Sequence, residues 1–393
     1  MKTSLFLASL LSLIGCSSPK SLKTPAWDKI VNDTLAFWKA PGCAISIVQG
    51  DQVLLCKGYG TKQVGSDNPI DSHTRFPIAS ITKLFTAIAF GILCDHGKMT
   101  LDTSIIDVYP ALKLSDPYAT SHLTFRDCLA MRSGLPASWA DPSLYDDLNA
   151  TREKLLSNAL PSLPFSKGFR SHFAYQNVLY LLVEEAFKPS YQTFVKENLI
   201  SPLQMQDTLF SLSELQNSPN KITPHLWKNG SFEEVSFEPI DTYLAAAGLS
   251  SSAEDMSHFL SFLLHHGSYR SKSILSSSAL AEIFTPQTVA SVEEFTGDST
   301  SGNFLFPHAQ FLTYGLGSFV HDYRGICVIQ VPGQVDGVNC VLALVPSLEL
   351  GLFVAANVES AAFTRALLFQ LIDSFLDQQT DWNRQFFQLT KNI

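Results

Sequence analysis

The chain has 393 residues, 46% of them hydrophobic and 16% charged, the reverse of the balance that keeps a chain disordered. Its 27 Lys and Arg against 36 Asp and Glu give a formal charge of −9, which offers no footprint for a phosphate backbone and argues against nucleic-acid binding. The 21 Gly and 20 Pro are ordinary usage, so collagen-like and low-complexity chains are excluded and a large globular core remains.

In chain order, the first element is a leader. Lys2 precedes an apolar run, Leu5 to Ile14, that ends at Gly15-Cys16. The run is about half the ~20 apolar residues a bilayer-spanning helix needs, so residues 1–15 read as a secretory signal peptide. Leu13-Ile14-Gly15-Cys16 resembles a bacterial lipobox, in which Cys16 is acylated and becomes the first residue. An ordinary signal peptide cut nearby, or a buried N-terminal helix, is the alternative. Ser17 after such a cysteine points to the outer membrane. The Ser/Pro/Lys-rich stretch that follows completes a lipidated tether over residues 16–24. The expected location is the cell envelope, facing the periplasm.

Cys43 to Val48 and Gln52 to Gly58 flank Gly50-Asp51, a hairpin with a two-residue turn. Ile81 to Cys94 is apolar on nearly every face and stops at Asp95-His96-Gly97, which predicts a buried central helix with its C-cap. From about 100 to 280 helical patterns dominate, among them Phe125–Met131, Asn177–Phe187 and Ala253–Leu264. Residues 286–310 are polar and read as a loop, with Glu293-Glu294 solvated in it. Strand patterns return at Tyr314–His321, Gly325–Val331, Val338–Leu344 and Gly351–Ala356, before a last helix from about Ser360 to Leu376.

Strands at both ends with helices between them predict an α+β fold. One antiparallel sheet is built from residues 25–100 and 281–393, flanked by helices, with a mostly helical domain inserted at 101–280. Cys43, Cys56, Cys94, Cys128, Cys327 and Cys340 form no C-x-x-C pair and read as small buried hydrophobes, since spacing alone cannot assign disulfides. The ten His show no ligand spacing, so neither metal nor cofactor is expected.

The chemistry begins at Ser80-Ile81-Thr82-Lys83, where the buried helix opens. Three residues of helix bring Lys83 onto the face of Ser80. A serine hydroxyl needs a neighbouring base, and a lysine in an apolar pocket supplies one because desolvation disfavours its charged form. The same S-x-x-K spacing occurs at Ser17–Lys20 and Ser218–Lys221, in loop-like context with Pro inside. Tyr175-Gln176-Asn177 is the only Y-x-N among the 11 tyrosines. It reads either as a proton-shuttling phenol with an amide for the substrate carbonyl, or as a core Tyr beside an N-capping Asn. Trp139, Tyr145 and Trp227 either line a pocket or pack elsewhere.

On these residues the chain resembles the serine β-lactamase and penicillin-binding protein-like superfamily, in its class C β-lactamase, D-aminopeptidase and esterase branch. Pro41-Gly42-Cys43-Ala44, Gly58-Tyr59-Gly60, Thr74-Arg75-Phe76, Ser133-Gly134-Leu135-Pro136, Ala247-Gly248-Leu249 and Tyr314-Gly315-Leu316-Gly317 fall in the family's order. The resemblance implies Ser80 as acylated nucleophile, Lys83 as its base, Tyr175 as proton shuttle and Asn177 as substrate contact. Where relatives carry Lys-Thr-Gly or His-x-Gly, this chain has Val331-Pro332-Gly333. Val331 cannot donate a hydrogen bond and Pro332 has no N–H, while Gly333 allows close approach and the Gln334 N–H can join that of Ser80 around an oxyanion. The implied activity is a serine hydrolase of small esters or peptidoglycan-related amides. A DD-carboxypeptidase, a weak β-lactamase and a non-catalytic cell-wall peptide-binding protein are the alternatives.

Overall fold

The computed structural model describes residues 25–137, 151–165, 167–296 and 305–390. Cys16, the leader and tether, Trp139 and Tyr145 lie outside these. Among the described residues no helix is long and apolar enough to cross a membrane.

An eight-stranded, wholly antiparallel sheet forms the frame, in the order β2-β1-β14-β13-β12-β11-β10-β9. Its strands are β1 (Gly42–Gln49), β2 (Gln52–Gly60), β9 (Thr288–Val289), β10 (Leu312–Tyr314), β11 (Phe319–Tyr323), β12 (Ile326–Val335), β13 (Val338–Val345) and β14 (Leu350–Ala356). Three two-stranded pieces complete the β structure: β3 (Phe76–Pro77) with β6 (Ser250–Ser251), β4 (His225–Lys228) with β5 (Ser231–Glu234), and β7 (Ser268–Tyr269) with β8 (Lys272–Ser273). The predicted α+β class and the pairing of strands from both chain ends are found.

Residue type explains where each strand sits. The apolar runs of β13 and β14 are buried at every position and hold the centre, while β2 alternates and takes an edge. Gly50 turns the predicted hairpin at φ +53°, with Gln49 paired to Gln52. The expected strand Tyr314–His321 is two strands, because Gly315 to Ser318 turn between β10 and β11. Gly317 sits at φ +86°, and a Cβ there would come 2.9 Å from the Lys83 carbonyl, so only glycine lets this turn lie on the helix beneath.

Helices cover both faces. On one lie α1 (Pro25–Trp38), α8 (Ala361–Phe375) and α9 (Trp382–Thr390). On the other lie α2 (Thr82–Asp95) and α6 (Ala253–Leu264), with α6 packed directly on β1 and β14. The helices α3 (Phe125–Leu129), α4 (Val178–Glu184) and α5 (Leu244–Ala247) build the helical side around α2. The segment 286–310 is not all loop. It supplies β9 and a short helix α7 (Val292–Thr296), on which Glu294 pairs with Lys167 at 2.7 Å. All six cysteines described are free thiols, with Cys43, Cys128 and Cys340 buried.

Candidate active site

Ser80 lies on a 3-10 turn, Ala79–Ile81, that leads into α2. It is therefore not the helix cap its position suggests, and its hydroxyl makes no capping bond. Ala79, fully buried, has φ +47°, a left-handed conformation that costs a non-glycine residue of order 1 kcal/mol. This sharp reversal after β3 brings half-buried Ser80 to the mouth of the helix. The turn is pinned from the loop after α5: Ile78 N–H donates to Leu249 O at 2.9 Å, and Leu249 N–H to Thr82 Oγ1 at 3.2 Å. Ala247-Gly248-Leu249 is thus a clamp on α2. Gly248 is required because a Cβ would meet Leu244 Cα at 2.7 Å.

Lys83 Nζ lies 3.1 Å from Ser80 Oγ and donates to Ala246 O at 3.0 Å. The side chain is 1% exposed. Burial holds its pKa far below the ordinary lysine value, and no charged partner among the described residues offsets that. The burial therefore shifts the amine toward its neutral form, beside the Ser80 hydroxyl.

Tyr175 stands over this amine, its ring centroid 4.7 Å from Nζ. Its place is set by the segment before α4. Asp127, fully buried, ties Arg132 and Arg170 together at 2.8 and 2.7 Å. Ala174 N–H then donates to Met131 O at 2.9 Å, and the Gln176 amide to Pro136 O at 3.0 Å. Met131 and Pro136 thus anchor the two residues that flank Tyr175. Phe295 of α7 packs edge-on against Tyr175 at 5.0 Å, a contact hidden in a segment that reads as loop. Asn177 occupies the N-cap position of α4, as the second reading expects, but its side chain makes no capping bond there.

The strand β12 brings the remaining predicted residues beside the turn carrying Ser80. Val331, Gly333 and Val335 share one face and Pro332 and Gln334 the other. A Cβ at Gly333 would lie 2.5 Å from Ile78 O, so glycine here admits the backbone of the turn that carries Ser80. Val331, 2% exposed, is on this same face. Pro332 is turned away from it. The register Val335 to Val338 around Asp336-Gly337 alternates hydrogen-bonded and open pairs, which leaves the Gln334 N–H on the edge away from β13. The Gln334 side chain is occupied elsewhere, by Glu359 at 3.0 Å and Asn339 at 2.9 Å.

Of the other candidates, Trp227 is on the β4–β5 hairpin, 51% exposed and packed on Phe232. Ser218 accepts from Arg75 at 2.9 Å while Lys221 turns to the Ser218 carbonyl, so this second S-x-x-K builds a loop. Sequence reasoning missed Tyr180 and Tyr314, both fully buried beside Lys83 and Tyr175, because a buried tyrosine has no local signature.

Comparison with known proteins is consistent with this geometry. The profile of the family described as Beta-lactamase matches residues 28–376. An unguisins hydrolase of Aspergillus campestris is 26% identical over 384 residues, covering 93% of this chain and 68% of that protein. Protein flp of Staphylococcus aureus is 25% identical over 340 residues, covering 85% and 63%. The chain thus spans about two thirds of the length of these relatives. A penicillin-binding protein homologue from Pyrococcus abyssi, described as octameric, superposes with a TM-score of 0.75 at 21% identity, over 91% of this chain and 78% of that one. A penicillin binding protein from Bacillus halodurans gives 0.66 at 21% identity, over 87% and 98%. At such identity the structural likeness establishes the fold.

Proposed function

The chain belongs to the β-lactamase family of serine hydrolases, and from that premise we propose that it hydrolyses small esters or peptidoglycan-related amides through an acyl-enzyme on Ser80. The observation that carries this is the fully buried Lys83 amine 3.1 Å from the Ser80 hydroxyl, its pKa lowered by desolvation. Lys83 takes the serine proton as Oγ attacks the acyl carbonyl. The oxyanion sits between the backbone N–H groups of Ser80 and Gln334, donors already in place before reaction. Tyr175, against the amine, passes the proton to the leaving group and then takes one from the water that hydrolyses the acyl-enzyme. Asn177 contacts the substrate amide. No step calls for a metal or cofactor.

Cys16 anchors the protein by lipid, with residues 16–24 as tether, in the outer membrane facing the periplasm. The support is the lipobox-like Leu13 to Cys16. DD-carboxypeptidase and weak β-lactamase activity are the same chemistry on carboxylate-bearing substrates, which Val331 disfavours. Val331 also supports one reading of another class, a non-catalytic binder of cell-wall peptides. A fluorescent fluorophosphonate separates the two: a hydrolase is labelled at Ser80, and a protein left unlabelled is the binder.

A further inference from the structure

When the serine proton reaches Lys83, a full positive charge appears in a site where no carboxylate among the described residues pairs with it. The groups that face Nζ are known from each packed element. Ser80 Oγ comes from the nucleophile turn and Ala246 O from α5. Tyr175 and Tyr180 come from the start and body of α4, with ring centroids 4.7 and 5.4 Å away. Glu184, further along α4, is engaged by Arg152 at 2.6 Å and by the Ala245 N–H. Two tyrosine faces thus stand against the amine, both inside the ~6 Å at which a cation is drawn to an aromatic ring.

We propose that Tyr180 is a positioning residue for Lys83, completing with Tyr175 an aromatic cradle that holds the amine at Ser80 and stabilises its protonated form. The proposal rests on the reading of Lys83 as the base. Tyr180 is built for a fixed role. Its side chain is fully buried, and its hydroxyl donates to Leu129 O at 3.3 Å and faces the hydroxyl of Tyr314. Burial keeps that phenol protonated far above its usual range, so it presents a neutral ring throughout the cycle. The cradle and the desolvation act in opposite directions on Lys83. Burial makes the amine neutral enough to accept a proton, and the rings make the ammonium stable enough to form.

The test reads Lys83 directly, in the whole protein labelled with ε-13C-lysine, by following its resonance against pH. Removing the ring in Tyr180→Leu takes away stabilisation of the charged form, so the midpoint should fall by ~0.5–1 pH unit. Tyr180→Phe keeps the ring and should leave the midpoint in place. The acid limb of the fluorophosphonate labelling rate at Ser80 should move with the midpoint. A folded Tyr180→Leu protein with the wild-type midpoint overturns the proposal, and so does an equal shift in Tyr180→Phe. Should the leucine variant not fold, phenylalanine carrying increasing fluorine at position 180 keeps the shape while weakening the ring's charge. An unchanged midpoint across that series overturns the cradle, and a stepwise fall supports it. A shifting midpoint in a protein whose Ser80 is never labelled supports the cradle and instead removes the hydrolase reading.

Discussion

Asp127 and Lys83 are both charged residues taken out of water, 0% and 1% exposed, and they are treated in opposite ways. Burial alone would raise the Asp127 pKa, but hydrogen bonds from Arg170, Thr124 and Arg132 overcome it and hold the carboxylate below its usual range. Burial lowers that of Lys83, and nothing overcomes it. The first group is held toward its charged form by its partners; the second is pushed toward its neutral form and touches a serine. Partner count thus separates a charge that holds the fold from a group fit for the base role proposed for it, although both are buried.

The largest effects should come from breaking each side. Ser80→Ala should abolish covalent labelling by a fluorophosphonate, read by mass spectrometry, with an adduct on another serine as the contrary result. Because the Ser80 hydroxyl caps nothing, the unfolding free energy should stay within ~0.5 kcal/mol of wild type, less than the ~1 kcal/mol a true cap would cost. Asp127→Ala should instead cost ~3–5 kcal/mol in chemical denaturation, since it strands Arg132 and Arg170. At temperatures where that variant is folded, Ser80 should still be labelled. The sign in pH follows from a depressed carboxylate: its stabilisation is complete above the unfolded value near ~4 and disappears as pH falls through the folded value. Acid unfolding of wild type should therefore contain a component that Asp127→Asn lacks.

The proton machinery gives the next largest effect. Lys83→Ala and Tyr175→Phe should each lower turnover by ~10²-fold or more, and the double variant should be little worse than either, as expected of groups acting together. The rate in wild type should rise as pH rises through the depressed Lys83 value, because only the free amine accepts the proton. Lys83→Met should sharpen the contrast with Asp127. A lysine whose pKa is lowered on folding opposes folding at every pH below its unfolded value, so its replacement should stabilise the inactive protein by ~1 kcal/mol. Destabilisation by Lys83→Met would mean that the amine is a structural charge after all.

How far the sequence reveals these two regions differs for physical reasons. Ser80-Lys83, the hairpin at Gly50 and the helix Ala253–Leu264 are legible because local spacing and period determine them. The Ala246 carbonyl is not, because a backbone acceptor carries no side-chain signature. Tyr180 and Tyr314 are ordinary core residues until folding sets one beside Lys83. Phe295 is hidden by its polar neighbours, and the β10–β11 break by Gly317, whose neighbour is the remote Lys83 carbonyl. The helices α1 and α9 carried no functional motif and become visible only as cover for α8.

The smallest effect concerns substrate choice at the strand edge. Val331 lies on the same face of β12 as Gly333, which meets Ile78 two residues before Ser80, and it presents a buried apolar side chain there. A β-lactam or a stem peptide ending in D-alanine brings a carboxylate that relatives meet with a Lys or His at this position. A hydrogen bond to a charged group is worth ~1.5–3 kcal/mol, and ~1.4 kcal/mol is a factor of ten. Carboxylate-bearing substrates should therefore suffer a ~10–100-fold handicap in kcat/KM, while a neutral short-chain ester loses nothing. Pro332 faces away, so the handicap belongs to position 331 alone. Val331→Lys should then move the ratio of a chromogenic cephalosporin to a p-nitrophenyl ester by ~10-fold or more toward the cephalosporin. The second ammonium near Lys83 should also push the Lys83 amine further toward neutrality and shift the acid limb down. A wild-type enzyme that already prefers the cephalosporin, or a ratio that Val331→Lys leaves unmoved, would place the carboxylate anchor on another residue and remove β12 from specificity.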